Sequence, residues 1–130
     1  MITEDYVSFE TAKLLKEKGF DWDCQYCYID EDDSDKEQLE VPTGYDAEID
    51  APTLQMAMKW LREKGFHIFV PMEIDYDEDE RGGKWYHDAA YYPEIRRVSD
   101  GKIMYDDGAL YATPEQAYEV AIKYCLENLV

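Results

Sequence analysis

The sequence predicts an α+β fold: a mainly antiparallel sheet of four or five strands with three helices packed on it. Three observations lead there. Three stretches carry helix start signals and helical apolar spacing, and the first two end at a glycine. Between them run segments that alternate apolar and polar residues with period two. Aromatic residues make up 15% of the chain, with 12 tyrosines and 3 tryptophans, and such side chains suit strands. A length of 130 residues fits one domain covering 1–130.

The first helix is expected to begin after Ser8, a good N-cap, and to run through Lys18 to a stop at Gly19. Lys13, Lys16 and Lys18 lie toward its C-terminal end, where the helix dipole favours cations. A strand should follow at once, because Phe20, Trp22, Cys24, Tyr26 and Tyr28 share one parity. Residues 30–38 read as a solvated loop with no apolar anchor. A short extended piece fits Leu39–Val41, and Pro42-Thr-Gly44 turns the chain.

The second helix should start near Ala51-Pro52-Thr53 and end at Gly65, with Leu54, Ala57, Met58, Trp60 and Leu61 forming a broad apolar face. Phe66, Ile68, Val70, Met72, Ile74 and Tyr76 then fall on one parity, which predicts a half-buried strand over 66–76. Asp77–Gly83 reads as a hairpin connection, with Gly82 and Gly83 supplying the turn. Further strands are expected at Lys84–Tyr92, Glu94–Val98 and Lys102–Tyr105, the last two flanking Ser99-Asp-Gly101. The final helix has the best start signal: Thr113 as N-cap, Pro114 at N1 and Gln116 completing a capping box. Ala117, Val120, Ala121, Tyr124 and Leu126 should form its buried side.

The chain also echoes itself. Lys13-Leu-Leu-Lys-Glu-Lys-Gly-Phe20 matches Lys59-Trp-Leu-Arg-Glu-Lys-Gly-Phe66 at six of eight positions. Both copies are a helix end, a glycine stop and a strand start. Duplication of an αβ unit explains this, and so does convergence on a common helix C-terminus.

Charge excludes more than it identifies. The formal net charge is −18, which opposes direct binding to nucleic-acid phosphates and to anionic membrane surfaces. The charge is uneven: residues 21–50 hold twelve carboxylates and one lysine, and 73–80 hold six carboxylates and no base, together 18 of the 31 acids. The first two helices are close to neutral. Rows of carboxylates either solvate loops or imitate a nucleic acid toward a basic protein. The start of the chain has no basic or apolar run of a secretory signal, and no segment approaches the roughly 20 apolar residues of a membrane span. The expected location is a cytoplasm. Cysteines at 24, 27 and 125 are odd in number, so reduced thiols are expected rather than a disulfide framework.

No motif carries chemistry. Cys24-Gln-Tyr-Cys27 has the spacing of a redox pair, but its flanks read as strand, where such pairs need a helix N-terminus. His67 and His87 lie on predicted strands and would form a metal site only if those strands were neighbours. The acidic runs from Asp30 and Asp75 fail as EF-hand loops: the sixth and twelfth positions are Asp35 and Val41 in one, Glu80 and Tyr86 in the other. No nucleophile elbow or phosphate-cradling glycine loop is present in the sequence. No catalytic, cofactor-binding or metal-binding residue is therefore assigned. Trp85, Tyr86, Tyr91 and Tyr92 put rings on both faces of one strand, which fits either a sheet covered on both sides or a partner surface.

Ser8–Phe20, Ala51-Pro-Thr-Leu-Gln-Met-Ala-Met-Lys-Trp-Leu-Arg-Glu63 and Tyr118-Glu-Val-Ala-Ile-Lys-Tyr-Cys-Leu-Glu-Asn-Leu129 resemble small proteins of gut Bacteroidales and their phages. This is a group with no assigned activity. The resemblance covers the three helical stretches and implies a phage or prophage origin and a bacterial cytoplasm, with no site residues to carry over. The expected function is a non-catalytic accessory protein that binds another protein. The alternatives are an acidic nucleic-acid mimic and a small enzyme whose site only geometry reveals. A homodimer is a further option.

Overall fold

The computed structural model describes residues 5–32 and 35–130, with the side chains of Asp75, Tyr86 and His87 set aside. Among these residues it has helices α1 (Phe9–Glu17), α2 (Leu54–Glu63) and α3 (Pro114–Asn128). Its strands are β1 (Tyr26–Ile29), β2 (Glu48–Ala51), β3 (Phe66–Phe69), β4 (Met72–Glu78), β5 (Lys84–Tyr91), β6 (Glu94–Arg97) and β7 (Ile103–Tyr105). The class is α+β and every named strand pair is antiparallel. The strands divide among three small sheets rather than forming one of four or five: β1–β2, β3–β6–β7 and β4–β5.

Capping chemistry sets the helix starts. Ser8, Thr53 and Thr113 each accept a hydrogen bond from the backbone N–H three residues on. Pro52 precedes the cap of α2 instead of sitting in its first turn, because Ala51 is already the last residue of β2. The two halves of the sequence echo are built alike. Lys18 and Lys64 close their helices, and Gly19 and Gly65 take φ of 95° and 104°, a region that L side chains rarely adopt. The copies then diverge, since Phe66 opens a paired strand and Phe20 opens an unpaired extended segment.

That segment corrects one expectation. Residues 20–25 keep the predicted alternation, with Phe20 buried and Asp21 and Asp23 exposed, but ladder pairing starts only at Tyr26. The partner is β2, a strand the sequence pattern does not announce, because Glu48-Ile-Asp-Ala51 has a single large apolar residue. Glu40 lies on the other side of β1 and exchanges two 2.8 Å backbone hydrogen bonds with Cys27.

The second correction concerns 66–76. It is not one strand. Val70-Pro71 breaks it into β3 and β4, which belong to different sheets. Proline has no N–H to give a ladder, and the break lets β3 stay on the core while β4 leaves it. Ile68 is buried, whereas Met72, Ile74 and Tyr76 on the same parity are exposed.

The core lies between the helices and the two sheets β1–β2 and β3–β6–β7. α3 packs on both α1 and α2, β2 packs on α1, and β3 packs on α2 and α3. Leu15, Leu61, Ile95, Ile122 and Leu126 are fully buried. On α3 the buried face is Ala117, Ala121, Ile122, Cys125 and Leu126. Val120 and Tyr124, expected inside, are only partly covered, because α3 is flanked on two sides and its buried stripe is turned toward Ile122 and Cys125.

Candidate functional site

The β4–β5 hairpin is the part of the fold that the core does not explain. β4 and β5 pair with each other and, among the described residues, make no substantial packing contact with another named element. The hairpin is tied down at its base. Tyr91 exchanges two backbone hydrogen bonds with Tyr111 (2.9 and 2.7 Å), and the Tyr92 N–H donates to the Pro71 carbonyl.

Local sequence builds the tip. The Asp79 side chain accepts hydrogen bonds from the backbone N–H groups of Arg81 (2.9 Å) and Gly83 (2.7 Å). The Asp79 N–H in turn donates to the Gly83 carbonyl at 2.9 Å. Aspartate closing a turn on its own following residues is a local alternative to ladder bonds. Gly82 takes φ of 81°, a region that favours glycine, and a Cβ on Gly83 would sit 2.7 Å from the Asp79 carboxylate, which would have to shift from its turn-closing position.

From the tip the ladder runs Glu78↔Lys84, Asp77↔Trp85 and Tyr76↔Tyr86, shifts register, and resumes as Ile74↔Ala89, Glu73↔Ala90 and Met72↔Tyr91. Met72, Ile74 and Tyr76 alternate along β4 and so share one face. Their exposures are 56%, 46% and 46%, and Trp85 is 58% exposed. Lys84 holds its ammonium 4.6 Å from the centre of the Tyr76 ring. Large apolar side chains scattered singly over a surface are ordinary, but Met72, Ile74 and Tyr76 stand in a row on one face of the hairpin, a patch of the kind used for contact, while Trp85, the register partner of Asp77, belongs to the opposite face. The same hairpin, residues 72–91, carries seven carboxylates against Arg81 and Lys84. Of the rings expected to sit on both faces of β5, Trp85 is exposed and Tyr91 is partly covered, while the Tyr86 side chain lies outside the described residues.

The other sequence candidates separate. Cys27 is buried on β1 and Cys24 is half-buried ahead of it. Burial, with Asp50 and Asp23 adding negative charge, pushes the Cys24 thiol up to about 11. Burial also raises Cys27, reinforced by Glu48, Asp50 and Glu40. Both surroundings disfavour the thiolate that redox or metal chemistry uses. His67 is exposed on β3, and His87, whose side chain is outside the described set, belongs to β5, which pairs with β4 alone. The strands bearing the two histidines are not neighbours. No group of three His, Cys, Asp or Glu side chains among the described residues is placed to hold a metal ion. In the first acidic loop Asp30 is shared by Lys13 and Lys36 at 3.6 and 3.5 Å. Asp33 and Ser34 of that loop lie outside the described residues.

The sequence pattern gave no reason to single out the apolar residues of β4, since their alternation is that of a half-buried strand. The one local signal was Pro71, which marks where the strand must leave the sheet. Fold and surface together define a three-helix α+β domain bearing an acidic, apolar-faced hairpin. No protein-family model matches the chain, and neither the curated proteins nor the solved structures give a match. No described helix is long and apolar enough to cross a membrane.

Proposed function

We propose that the chain is a non-catalytic protein-binding module, that the β4–β5 hairpin is its contact surface, and that the partner is a protein with a basic-rimmed apolar groove. The observation that carries this is the exposed row Met72, Ile74 and Tyr76 on one face of a hairpin that, among the described residues, makes no substantial packing contact with another named element. The partner's chemistry follows from charge. The hairpin segment 72–91 carries seven carboxylates, so a basic partner surface is attracted and orients the approach. A second copy of the chain is a poor occupant, because two such hairpins brought together would set like charges against each other. Nucleic acid is disfavoured for the same reason. Engagement of Asp30 by Lys13 and Lys36 supports recognition by the hairpin over mimicry of a nucleic acid by both acidic segments together.

The resemblance of the helical stretches directs the search for this partner to the cytoplasm of gut Bacteroidales, with the chain acting as a phage or prophage accessory protein. The test is capture from such a lysate by the wild-type chain and by a Met72→Ser/Ile74→Ser variant. A basic protein held by the wild type, released above about 0.5 M salt and lost by the variant is the expected result. The variant should stay within about 0.5 kcal/mol of wild-type stability, as surface changes do. Retention of the same proteins by both chains would overturn the reading.

A further inference from the structure

A second surface stands apart from the hairpin. α2 presents Met58, Lys59 and Arg62 toward β3, three and four residues apart and therefore on one helical face. β3 pairs with β6 alone among the named strands, so its other edge has no strand partner among the described residues. Between them lies a cleft of about 420 Å³, with Ile68 and Phe69 in its wall and His67 at its rim. That volume is in the range of small-molecule sites, roughly 300–1,000 Å³.

The charge of this cleft is opposite to that of the molecule. The chain has 31 acids and 13 Lys and Arg residues, yet no carboxylate is among the described residues that line the cleft. Lys59 and Arg62 are like charges one turn apart, an arrangement that costs an isolated helix a few tenths of a kcal/mol. Neither makes an ion pair with a described residue. Arg96, the register partner of His67, is by contrast already engaged, by the Glu94 carboxylate at 3.2 Å and by the Phe69 ring. The His67 ring stacks on Phe69 with centroids 6.0 Å apart, which holds its edge N–H at the rim.

We propose that this cleft binds a small organic oxyanion, a phosphate or carboxylate carried on a flat apolar group. Lys59, Arg62 and His67 take the anionic oxygens, and Met58, Ile68 and Phe69 cover the ring. The anion removes the mutual repulsion of Lys59 and Arg62, and charge-assisted hydrogen bonds of this type are the strong ones. The site is independent of the hairpin, and failure of either leaves the other standing.

The test is an NMR titration of the full chain at low ionic strength with phenyl phosphate, benzoate and inorganic phosphate. Saturable shifts at His67, Ile68 and Phe69 are expected with at least one of the two aryl anions, and whichever binds more tightly identifies the anionic group. Inorganic phosphate should bind at least about tenfold more weakly than the better aryl anion, since it buries no ring. Lys59→Gln/Arg62→Gln should weaken binding by at least about tenfold. Lys64→Gln, which removes a cation seated over Trp60 outside the cleft, should leave it within about twofold. Lys59 and Arg62 are exposed, so the variants keep the core, and the same spectra report that they are folded. No saturable shift, shifts spread over unrelated cationic residues, equal binding of inorganic phosphate, or unchanged binding in Lys59→Gln/Arg62→Gln would each overturn the proposal.

Discussion

Glu119 on α3 accepts a 2.6 Å hydrogen bond from the hydroxyl of Thr11, a fully buried residue of α1 that lies 108 positions earlier in the chain. The same carboxylate oxygen accepts from the Ser8 N–H at 3.0 Å. One side chain of the last helix thus completes the N-terminal cap of the first. It satisfies an N–H that the helix cannot bond internally and a buried hydroxyl that water does not reach.

Glu119→Ala should therefore lower stability by about 0.5–1.5 kcal/mol, the net worth of an intramolecular hydrogen bond, because the Ser8 hydroxyl still bonds that of Thr11 at 3.1 Å. Thr11→Val, which removes the hydroxyl and keeps the volume, should cost less. Urea unfolding of the two variants and of the double variant measures this directly. A double-variant loss equal to the sum of the single losses would show that the pair is uncoupled.

Asp100 gives a pH prediction. The Arg97 guanidinium, then the Lys102 N–H, hold its carboxyl down at about 2. A carboxyl depressed in the folded state stabilises fully above its unfolded value, near about 3.9, and loses that contribution as pH falls toward 2. NMR titration should place the Asp100 midpoint near 2 in the wild type. In Arg97→Gln it should move up toward the ordinary aspartate value, and an unmoved midpoint would show that the ion pair is not its cause.

The thiols should be slow. With Cys24 raised to about 11 and Cys125 to about 12, the thiolate fraction at pH 8 falls on the order of 100-fold or more relative to a free cysteine. A thiol reagent should label the urea-unfolded chain rapidly and the folded chain slowly. Half-buried Cys24 should react before buried Cys27 and Cys125. Mass spectrometry of the labelled peptides gives the order.

Much of the fold was legible because its signals are local. Ser8 and Thr113 cap helices through hydroxyls that reach only three residues along the chain, whereas the cap of α2 at Thr53 is not singled out by the sequence, because Pro52 reads equally as a first-turn residue. Gly19 and Gly65 stop them through a backbone region that other residues avoid. Asp79 and the two glycines fix the hairpin tip within five residues. Strand pairing was less legible, because a period-two pattern says which residues share a face and not which strand lies beside them. Tyr26–Ile29 finds its partner in Glu48–Ala51 across the acidic loop, and no residue in either segment encodes the other.

The candidate surface shows the same limit. Met72, Ile74 and Tyr76 continue the parity of Ile68, and parity cannot distinguish an apolar face that meets a core from one that meets water. The cleft was less visible still, since Lys59 and Arg62 read as ordinary solvated positions until β3 is set beside them.

By itself, then, the sequence determined the α+β class, the caps of α1 and α3, the glycine stops of α1 and α2, the hairpin turn and the concentration of negative charge in two segments. All of these rest on interactions between residues close in the chain or on composition. Tertiary structure alone decided that the strands form three small sheets, that Pro71 sends β4 and β5 away from the core, and that Glu119 caps α1. It also decided that two cations of an acidic chain share a cleft with the edge strand β3. These depend on contacts between distant segments, whose partners are chosen by the packing of the whole chain.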